Sequence, residues 1–185
     1  MVARALVGAY LVVGERVGRI VETEAYRGPK DLACHARVGM TSRTRTLYGP
    51  PGHAYVFLIY GMHDCFNIVC FAEGKGHAVL IRGVEPSRGI ADGVRTDGPG
   101  RLTRALGLTR AHDASDLTQG PVHLVGRAKR PRIAATPRVG VAYAGAIAEA
   151  PWRFFDADSN HVSQPPARTI GLGGAHAKRA FHALG

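Results

Sequence analysis

Two glutamates and a tyrosine stand at alternate positions in residues 19–26, which read Arg-Ile-Val-Glu-Thr-Glu-Ala-Tyr. If this segment is a β-strand, side chains two residues apart share a face, so Glu22, Glu24 and Tyr26 project together. Burying a carboxylate is costly unless it is paired or hydrogen-bonded, and such a carboxylate is typical of a general base. The spacing leaves a second interpretation equally open, in which both glutamates pair with arginines on a solvated face.

The acidic segment lies in a part of the chain that favours antiparallel strands. Gly14 to Arg16 supply a hairpin turn that leads into a strand at 18–26. The next predicted strands are joined by short turns and form an antiparallel meander. They cover residues 53–60, 65–71 and 78–85.

The rest of the chain is richer in turns. Residues 27–46 read as a long loop with one helical turn at 32–37, and such loops often carry function. A helix is expected at 101–106, where Gly107 would end it. Two later strands are expected at 122–125 and 138–143.

Length and composition bound the class of protein. The chain has 185 residues, of which 45% are hydrophobic and 21% charged, and this is ordinary for one globular domain. No apolar run approaches the roughly 20 residues of a membrane span, and the opening residues do not read as a signal peptide. We therefore expect a cytoplasmic protein without a membrane partner, associated with the nucleoid if the source is bacterial.

The net charge is +10, and only four of the 24 basic residues are lysines. Guanidinium groups suit phosphates, so the charge favours a polyanionic partner, with nucleic acid first and an anionic membrane second. An arginine bias can also reflect genomic composition. The charge alone does not name the partner.

Cysteine and histidine contents argue against disulfides and metals. Three cysteines without a C-x-x-C pair do not make a disulfide framework, and no Cys/His cluster has zinc spacing. We expect no metal and no other cofactor. A metal-dependent hydrolase that uses His35, His53 and His63 is the weak alternative.

The predicted turn at residues 60–63 carries apolar side chains where a soluble protein usually has polar ones. One interpretation is that Tyr60 folds back on the core. The other is that Tyr60, with Met62 beside it, is a wedge that enters stacked bases, as in proteins that kink or open a duplex.

Five segments, taken in order, resemble the alkyladenine (3-methyladenine) DNA glycosylase family. They are Gly18 to Tyr26, Tyr55 to Met62 with Asn67, Arg82 to Pro86, Gly98 to Leu102, and Arg138 to Val141. The resemblance implies an α+β fold, a single mixed domain with a curved antiparallel β-sheet, a protruding β-hairpin and flanking helices. We expect this domain to cover residues 1–163 and a loose basic tail to follow at 164–185.

The resemblance also implies an activity. Members of the family flip a damaged purine out of duplex DNA and hydrolyse its N-glycosidic bond, and they lack the lysine nucleophile needed for strand cleavage. Glu24 corresponds to the general base that activates water, and Arg82 to the arginine that holds the carboxylate and keeps it ionised. An ordinary salt bridge at a strand end is the alternative role for Arg82.

Further residues match the family's binding positions. Tyr26 and His35 would sandwich the flipped base, and Phe57 stands where a tyrosine is common, which predicts a shifted substrate preference. Asn67 would exclude guanine by crowding its exocyclic amino group. The edge of the purine would be read by the His35 N–H and the Val139 carbonyl, and Ala33 is a further candidate for substrate binding.

The implied partner is double-stranded DNA that contains damaged purines, bound by a monomer. Tyr60 would fill the gap left by the flipped nucleotide, with Met62 beside it. Arg43, Arg45 and Arg101 are candidates for phosphate contacts. The alternative from another class is a nucleic-acid-binding module without catalysis, although a binder has no need of the acid at Glu24.

Overall fold

Eight strands form one antiparallel sheet in a computed structural model that describes residues 1–163. The tail expected at 164–185 lies outside the described residues. The strands are β1 (Tyr10–Val13), β2 (Arg16–Arg27), β3 (Ala54–Ile59), β4 (His63–Cys70), β5 (His77–Arg88), β6 (Val122–Val125), β7 (Ile133–Thr136) and β8 (Arg153–Asp156). The two α-helices are α1 (Val2–Leu6) and α2 (Pro99–Leu106). Over the described residues, none of the helices has the length and apolar character that a bilayer crossing requires.

The long strand β2 lies at the centre of the sheet. The main strand order is β3-β4-β5-β2-β1-β6, and β5 follows one edge of β2 along most of its length. The other edge is shared, because β1 pairs with its first part and β8 with residues 22–24. The resulting sheet is curled, and the domain contains few helices. The predicted α+β fold is therefore confirmed.

Two of the three irregularities in the pairing of β2 with β5 are compensating β-bulges. The register passes from Ile20 opposite Val84 to Glu22 opposite Gly83, which leaves Val21 as the extra residue of β2. One step later Arg82 is the extra residue of β5. A bulge changes which residues face each side of a strand. The bulges therefore turn Glu22 and Arg82 towards the same side of the sheet.

The hydrophobic core covers the opposite face of the sheet. Ile20, Phe66 and Ile81 pack there with Leu102 of α2. Gly107 ends α2 in the left-handed conformation, with a φ of 75°, so the predicted stop is confirmed. The helix begins at Pro99, two residues earlier than predicted.

The strand predicted at 138–143 is wrong. The strand in this region is β7, and Pro137, which has no N–H to donate, follows it directly. Beyond it, the Arg138 guanidinium and the Val139 N–H bond to carboxylates instead of a neighbouring strand. β8 was not predicted at all.

The long loop also differs in detail from its prediction. It contains two short 3-10 helices, His35–Val38 and Arg45–Tyr48, instead of one turn at 32–37. Both 3-10 helices lie over the sheet face opposite the core, where residues of the 3-10 helices pack against β3, β4 and β5.

Candidate active site

A cavity of about 300 Å³ opens on the sheet face that the core leaves uncovered. Alternate residues of four strands form one side of it, because side chains two apart share a face. Those that line it are Tyr26, Tyr55, Phe57, Ile59, Cys65, Asn67, Ala78, Leu80 and Arg82. The loops around Ala33 to His35 and Val139 to Val141 supply much of the other side.

Glu24 lies directly behind the cavity wall. Its Oε1 accepts a hydrogen bond from the Val139 N–H at 2.7 Å and lies 3.4 Å from Arg82 Nε, and its Oε2 accepts from the Tyr26 hydroxyl at 3.0 Å. These three partners line the cavity, whereas Glu24 itself has no exposed surface. The three partners thus separate the carboxylate from the cavity.

Burial raises the pKa of Glu24 above its usual value. Arg82, the Val139 N–H and the Tyr26 hydroxyl all lower this pKa, and the nearby Glu22 raises it further. Arg82 thus acts in the direction that the resemblance implies, but it does not outweigh the loss of hydration. A raised pKa brings a carboxylate closer to the range that suits a general base.

Glu22 is also fully buried, so the interpretation with a solvated acidic face is wrong. Its Oε1 accepts hydrogen bonds from Arg82 Nε at 3.2 Å and from Arg153 Nε at 2.6 Å. Its Oε2 accepts from the Ser163 N–H at 2.6 Å. Two carboxylates and two guanidinium groups thus form one buried cluster.

Arg82 joins the two glutamates. Burial lowers its pKa, but the charges of Glu24 and Glu22 outweigh burial, and the net shift is upward. The guanidinium is therefore a permanent cation between two carboxylates. This placement is more than a salt bridge at the end of a strand, because Arg82 also lines the cavity.

His35 and Phe57 form an aromatic wall of the cavity. Their ring centroids are 4.4 Å apart, and the Tyr55 hydroxyl lies 3.0 Å from His35 Nδ1. Burial lowers the pKa of His35, and Arg43 and Arg37 lower it further. A neutral imidazole can stack on a positively charged ring without repulsion.

Tyr26 is oriented by a residue that sequence reasoning did not identify as functional. The Arg138 guanidinium carbon lies 4.7 Å from the centre of the Tyr26 ring. Arg138 in turn makes a buried bidentate pair with Asp31, at 2.6 and 2.9 Å. Because one face of Tyr26 is covered in this way, the other face is available to the cavity. The two paired residues are 107 positions apart, and no local pattern signals their contact.

Asn67 holds a defined orientation in the wall of the cavity. Its amide nitrogen donates to the carbonyls of Tyr55 and Cys65, which leaves Oδ1 as the acceptor of the side chain. Ala33 lines the cavity, but its N–H is already bound to Asp31. The N–H of His35, by contrast, contacts no acceptor among the described residues.

The tip of the β3–β4 hairpin is exposed, and the interpretation in which Tyr60 folds back on the core is wrong. Tyr60 is 84% exposed and Met62 70% exposed. Tyr60 also has a positive φ of 51°, which is uncommon for a residue with a large side chain. It borders the mouth of the cavity together with the 68% exposed Tyr143, a residue that sequence reasoning missed.

The three predicted phosphate-binding arginines are all exposed and differ in their surroundings. Arg43 donates to the Leu58 carbonyl at 3.2 Å and lies over the Phe57 ring, so it belongs to the rim of the cavity. Arg45 forms no ion pair with a described residue. Arg101 pairs with Asp97 at 3.2 Å on α2.

His35, His53 and His63, the ligands of the weak metal alternative, are not brought together. Across residues 1–163, no group of three or more His, Cys, Asp or Glu side chains is placed to hold a metal ion. Cys65 lines the cavity, but burial raises the pKa of its thiol to about 11. It is a neutral wall residue at neutral pH.

A buried carboxylate and arginine beside a cavity with aromatic walls suit the hydrolysis of a bond to a flat aromatic group. The model of the methylpurine-DNA glycosylase family matches residues 1–160. The chain therefore belongs to this family of DNA glycosylases, hydrolase-type enzymes of DNA repair, and the predicted family is confirmed.

Individual relatives agree with the family match. A protein of Myxococcus xanthus named "Putative 3-methyladenine DNA glycosylase" is 56% identical over 176 residues, with 91% of each chain covered. Proteins with the same name are 45% identical in Methanocella arvoryzae and 44% identical in Legionella pneumophila strain Lens. The matches cover 88% and 89% of this chain and 90% and 92% of those relatives.

Proposed function

We propose that this protein is a monofunctional DNA glycosylase that removes damaged purines and leaves an abasic site for base excision repair. The substrate would be a purine flipped out of duplex DNA into the cavity, from the class of 3-methyladenine, 7-methylguanine, hypoxanthine and ethenoadenine. The single observation that carries the proposal is the contact of Glu24 with three cavity-lining residues, Tyr26, Arg82 and Val139. A base in the cavity would place its sugar close to this carboxylate.

In the proposed reaction, Glu24 takes a proton from a water while the water oxygen bonds to C1′ of the sugar. The C1′–N bond breaks, and its electron pair leaves with the base. A purine alkylated at N3 or N7 is cationic and leaves as a neutral molecule. Hypoxanthine needs a proton from another donor. Negative charge at Glu24 also stabilises the oxocarbenium-like transition state.

Recognition of the base would depend on the aromatic walls. Stacking contributes about 1–3 kcal/mol per base, and a cationic ring adds a cation–π contribution. The depressed pKa of His35 and the elevated pKa of Tyr26 keep both rings neutral, which suits a positively charged lesion. Asn67 would oppose guanine, whose amino group would crowd the side chain.

Flipping would be assisted by the exposed hairpin tip. Tyr60 would occupy the gap in the duplex, with Met62 beside it, and Arg43, Arg45 and Arg101 would contact the phosphate backbone. Damaged pairs cost less to open than normal pairs, which adds to selectivity.

Water is the proposed nucleophile because no lysine lines the cavity in the part of the chain that the structure describes. Strand cleavage through a Schiff base would need an amine close to C1′. We therefore expect strand breaks only after hot alkali. We also propose that the enzyme acts as a cytoplasmic monomer, at the nucleoid if the source is bacterial.

The test compares the wild-type protein with Glu24→Gln on duplexes that contain hypoxanthine or 3-methyladenine. Wild-type protein should release the base and produce alkali-labile sites, and the variant should bind the same duplexes without releasing a base. Glu15→Gln, at an exposed position in the β1–β2 turn, is the matched control and should excise normally.

Each other outcome has a clear meaning. Normal excision by Glu24→Gln would remove Glu24 as the base. Lesion binding by the wild-type protein without any alkali-labile site would favour the non-catalytic binding module.

A further inference from the structure

A second layer of buried residues lies behind Arg82 and Glu24 and has no part in the proposed proton transfer. Glu22 and Arg153 have no exposed surface, and Ser163 is 5% exposed. Arg153 is the largest fully buried side chain of the described residues. Burial of this much charge is costly and does not by itself favour stability. A role in the reaction would account for it.

Glu22 and Ser163 contact Arg82, and Arg153 contacts both Glu22 and Ser163. Arg82 Nη2 donates to Ser163 Oγ at 3.2 Å, and the Ser163 hydroxyl donates to Glu22 Oε1 at 2.7 Å. Arg153 Nη2 donates to the Ser163 carbonyl at 2.9 Å. The Arg82 guanidinium is therefore held from behind at Nε by Glu22 and at Nη2 by Ser163.

The backbone of the sheet brings Arg153 and Ser163 close to Glu24 and Arg82 in two ways. Arg153 of β8 stands opposite Glu24 of β2 in the strand register, and its Nη1 reaches Thr136 Oγ1 at 3.4 Å. Gly83 lets the chain segment before Ser163 pass close by, because a Cβ at this position would lie 2.5 Å from the His161 carbonyl oxygen.

We propose that Glu22, Arg153 and Ser163 are positioning residues for base excision, which together hold the Arg82 guanidinium against Glu24. The inference rests on the proposed function, since it concerns the same carboxylate. With both acids ionised, the two glutamates and two arginines balance in charge. Removing one charged member changes the charge that Glu24 experiences, and the sign depends on which member is removed.

The groups that face Glu24 come from several elements. Glu22 and Tyr26 of β2, Arg82 of β5 and the Val139 N–H of the loop after β7 act on Glu24 directly. Arg138 of the same loop is also coupled to Glu24. Arg153 of β8 stands opposite Glu24 in the strand register and bonds to Glu22. Glu22→Gln removes a negative neighbour, which should move the acidic limb of the pH–rate profile to lower pH. Arg153→Met removes a positive neighbour, which should move the limb to higher pH. Each shift should be less than about one pH unit, because burial and Arg82 have larger effects on the pKa of Glu24 than Glu22 has.

The experiment measures single-turnover excision of hypoxanthine from duplex DNA at saturating enzyme over a range of pH. At saturating enzyme the single-turnover rate constant refers to the folded, DNA-bound protein, and urea denaturation at each pH defines the range over which a variant is folded and its midpoint can be compared. Arg153→Lys keeps the charge and should return the midpoint close to that of the wild-type protein. Glu15→Gln is the control for a distant carboxylate.

Ser163 is tested separately because it carries no charge. Ser163→Ala should lower the single-turnover rate about tenfold, since it removes a hydrogen bond to a charged group, and should leave affinity for the lesion duplex unchanged. Ser163→Thr keeps the hydroxyl and should recover most of the rate. Equal rates for Ser163→Ala and the wild-type protein would remove Ser163 from the proposal.

The outcomes separate this inference from the proposed function. A wild-type protein that excises no lesion defeats the proposed function. An active wild-type protein with midpoints that coincide in Glu22→Gln and Arg153→Met, or shift in the same direction, overturns the positioning role. Shifts of opposite sign support it.

Discussion

The buried charge cluster around Glu24 and the exposed tip of the β3–β4 hairpin invert the usual distribution of polar and apolar groups. In the cluster, two carboxylates and the guanidinium of Arg153 lie where no solvent reaches. At the tip, the side chains of Tyr60 and Met62 are largely exposed to solvent. Both arrangements are unfavourable for an isolated protein, by desolvation in one case and by exposed apolar surface in the other.

The charge cluster and the hairpin tip differ in whether other parts of the protein compensate for the unfavourable free energy. Within the cluster, hydrogen bonds from Arg82, Arg153 and Ser163 satisfy Glu22 inside the protein. The tip has no such internal balance, and the positive φ of Tyr60 adds backbone strain. The cluster is thus organised within the fold, whereas the side chains of Tyr60 and Met62 remain exposed. Substitutions in the two regions should therefore have different signatures.

The largest effect is expected for Glu24→Gln, whose excision rate should fall by a factor of about 10²–10⁴. Because burial raises the pKa of Glu24, its ionisation inside the fold is costly. The stability that this group contributes is fully present below its unfolded pKa and is lost as the pH rises through the folded pKa. Urea denaturation should therefore show that Glu24→Gln gains stability relative to the wild-type protein as pH increases. A gain that is independent of pH would contradict this account of the cluster.

Asp31→Asn should be the most destabilising substitution near the cavity, by about 3–5 kcal/mol, because it leaves the buried Arg138 without its partner. Burial raises the pKa of Asp31, but the Arg138 guanidinium and two backbone N–H groups outweigh burial and lower it overall. The wild-type advantage should be present above the unfolded pKa of about 3.9 and lost as the pH falls through the folded pKa. Urea denaturation at several pH values measures this.

The exposed ion pair of Asp158 with Arg132 supplies the control for this test. Asp158→Asn should change the free energy of unfolding by less than about 1 kcal/mol, because surface pairs contribute little. Similar decreases in the free energy of unfolding for both variants would mean that burial does not increase the contribution of the Asp31–Arg138 pair to stability.

At the hairpin tip, Tyr60→Gly should weaken binding to a lesion duplex about tenfold while leaving the protein at least as stable. Glycine relieves the positive φ, and no internal packing is lost. Phe71→Gly is a close control, since Phe71 is also exposed, aromatic and at a positive φ, but does not line the cavity. Fluorescence anisotropy and urea denaturation give the two quantities. A large loss of stability in Tyr60→Gly would show that the tip is packed after all.

The smallest effect is expected for Phe57→Tyr, which adds the hydroxyl that the family resemblance implies at this position. The ratio of excision rates for 3-methyladenine and hypoxanthine should change by less than about tenfold, because the aromatic surface that stacks on the base is unchanged. Phe71→Tyr should leave the ratio unaltered. A ratio that does not move in Phe57→Tyr would contradict the expected shift in substrate preference.

The strand that carries Glu22, Glu24 and Tyr26 could be predicted because alternation is a local property of β-structure. The meander and the stop of α2 at Gly107 are local in the same sense. The prediction of a strand at 138–143 was wrong because residues at its start bond to carboxylates that are distant in the chain. Arg138 bonds to Asp31, and the Val139 N–H bonds to Glu24. β8 was not predicted because it is only four residues long and buried on both faces, so it lacks the alternation of polar and apolar residues that marks a half-buried strand.

The sequence by itself determined which residues share the acidic face, where the meander turns, and to which family the chain belongs. Only the tertiary structure decided that both glutamates are buried, that Tyr60 is exposed, and that Arg82, Arg153 and Ser163 meet at Glu22. The physical reason is that side-chain periodicity follows from the backbone geometry of a few residues. Burial and ion pairing instead depend on contacts between residues 60 to 141 positions apart, which exist only once the sheet has formed.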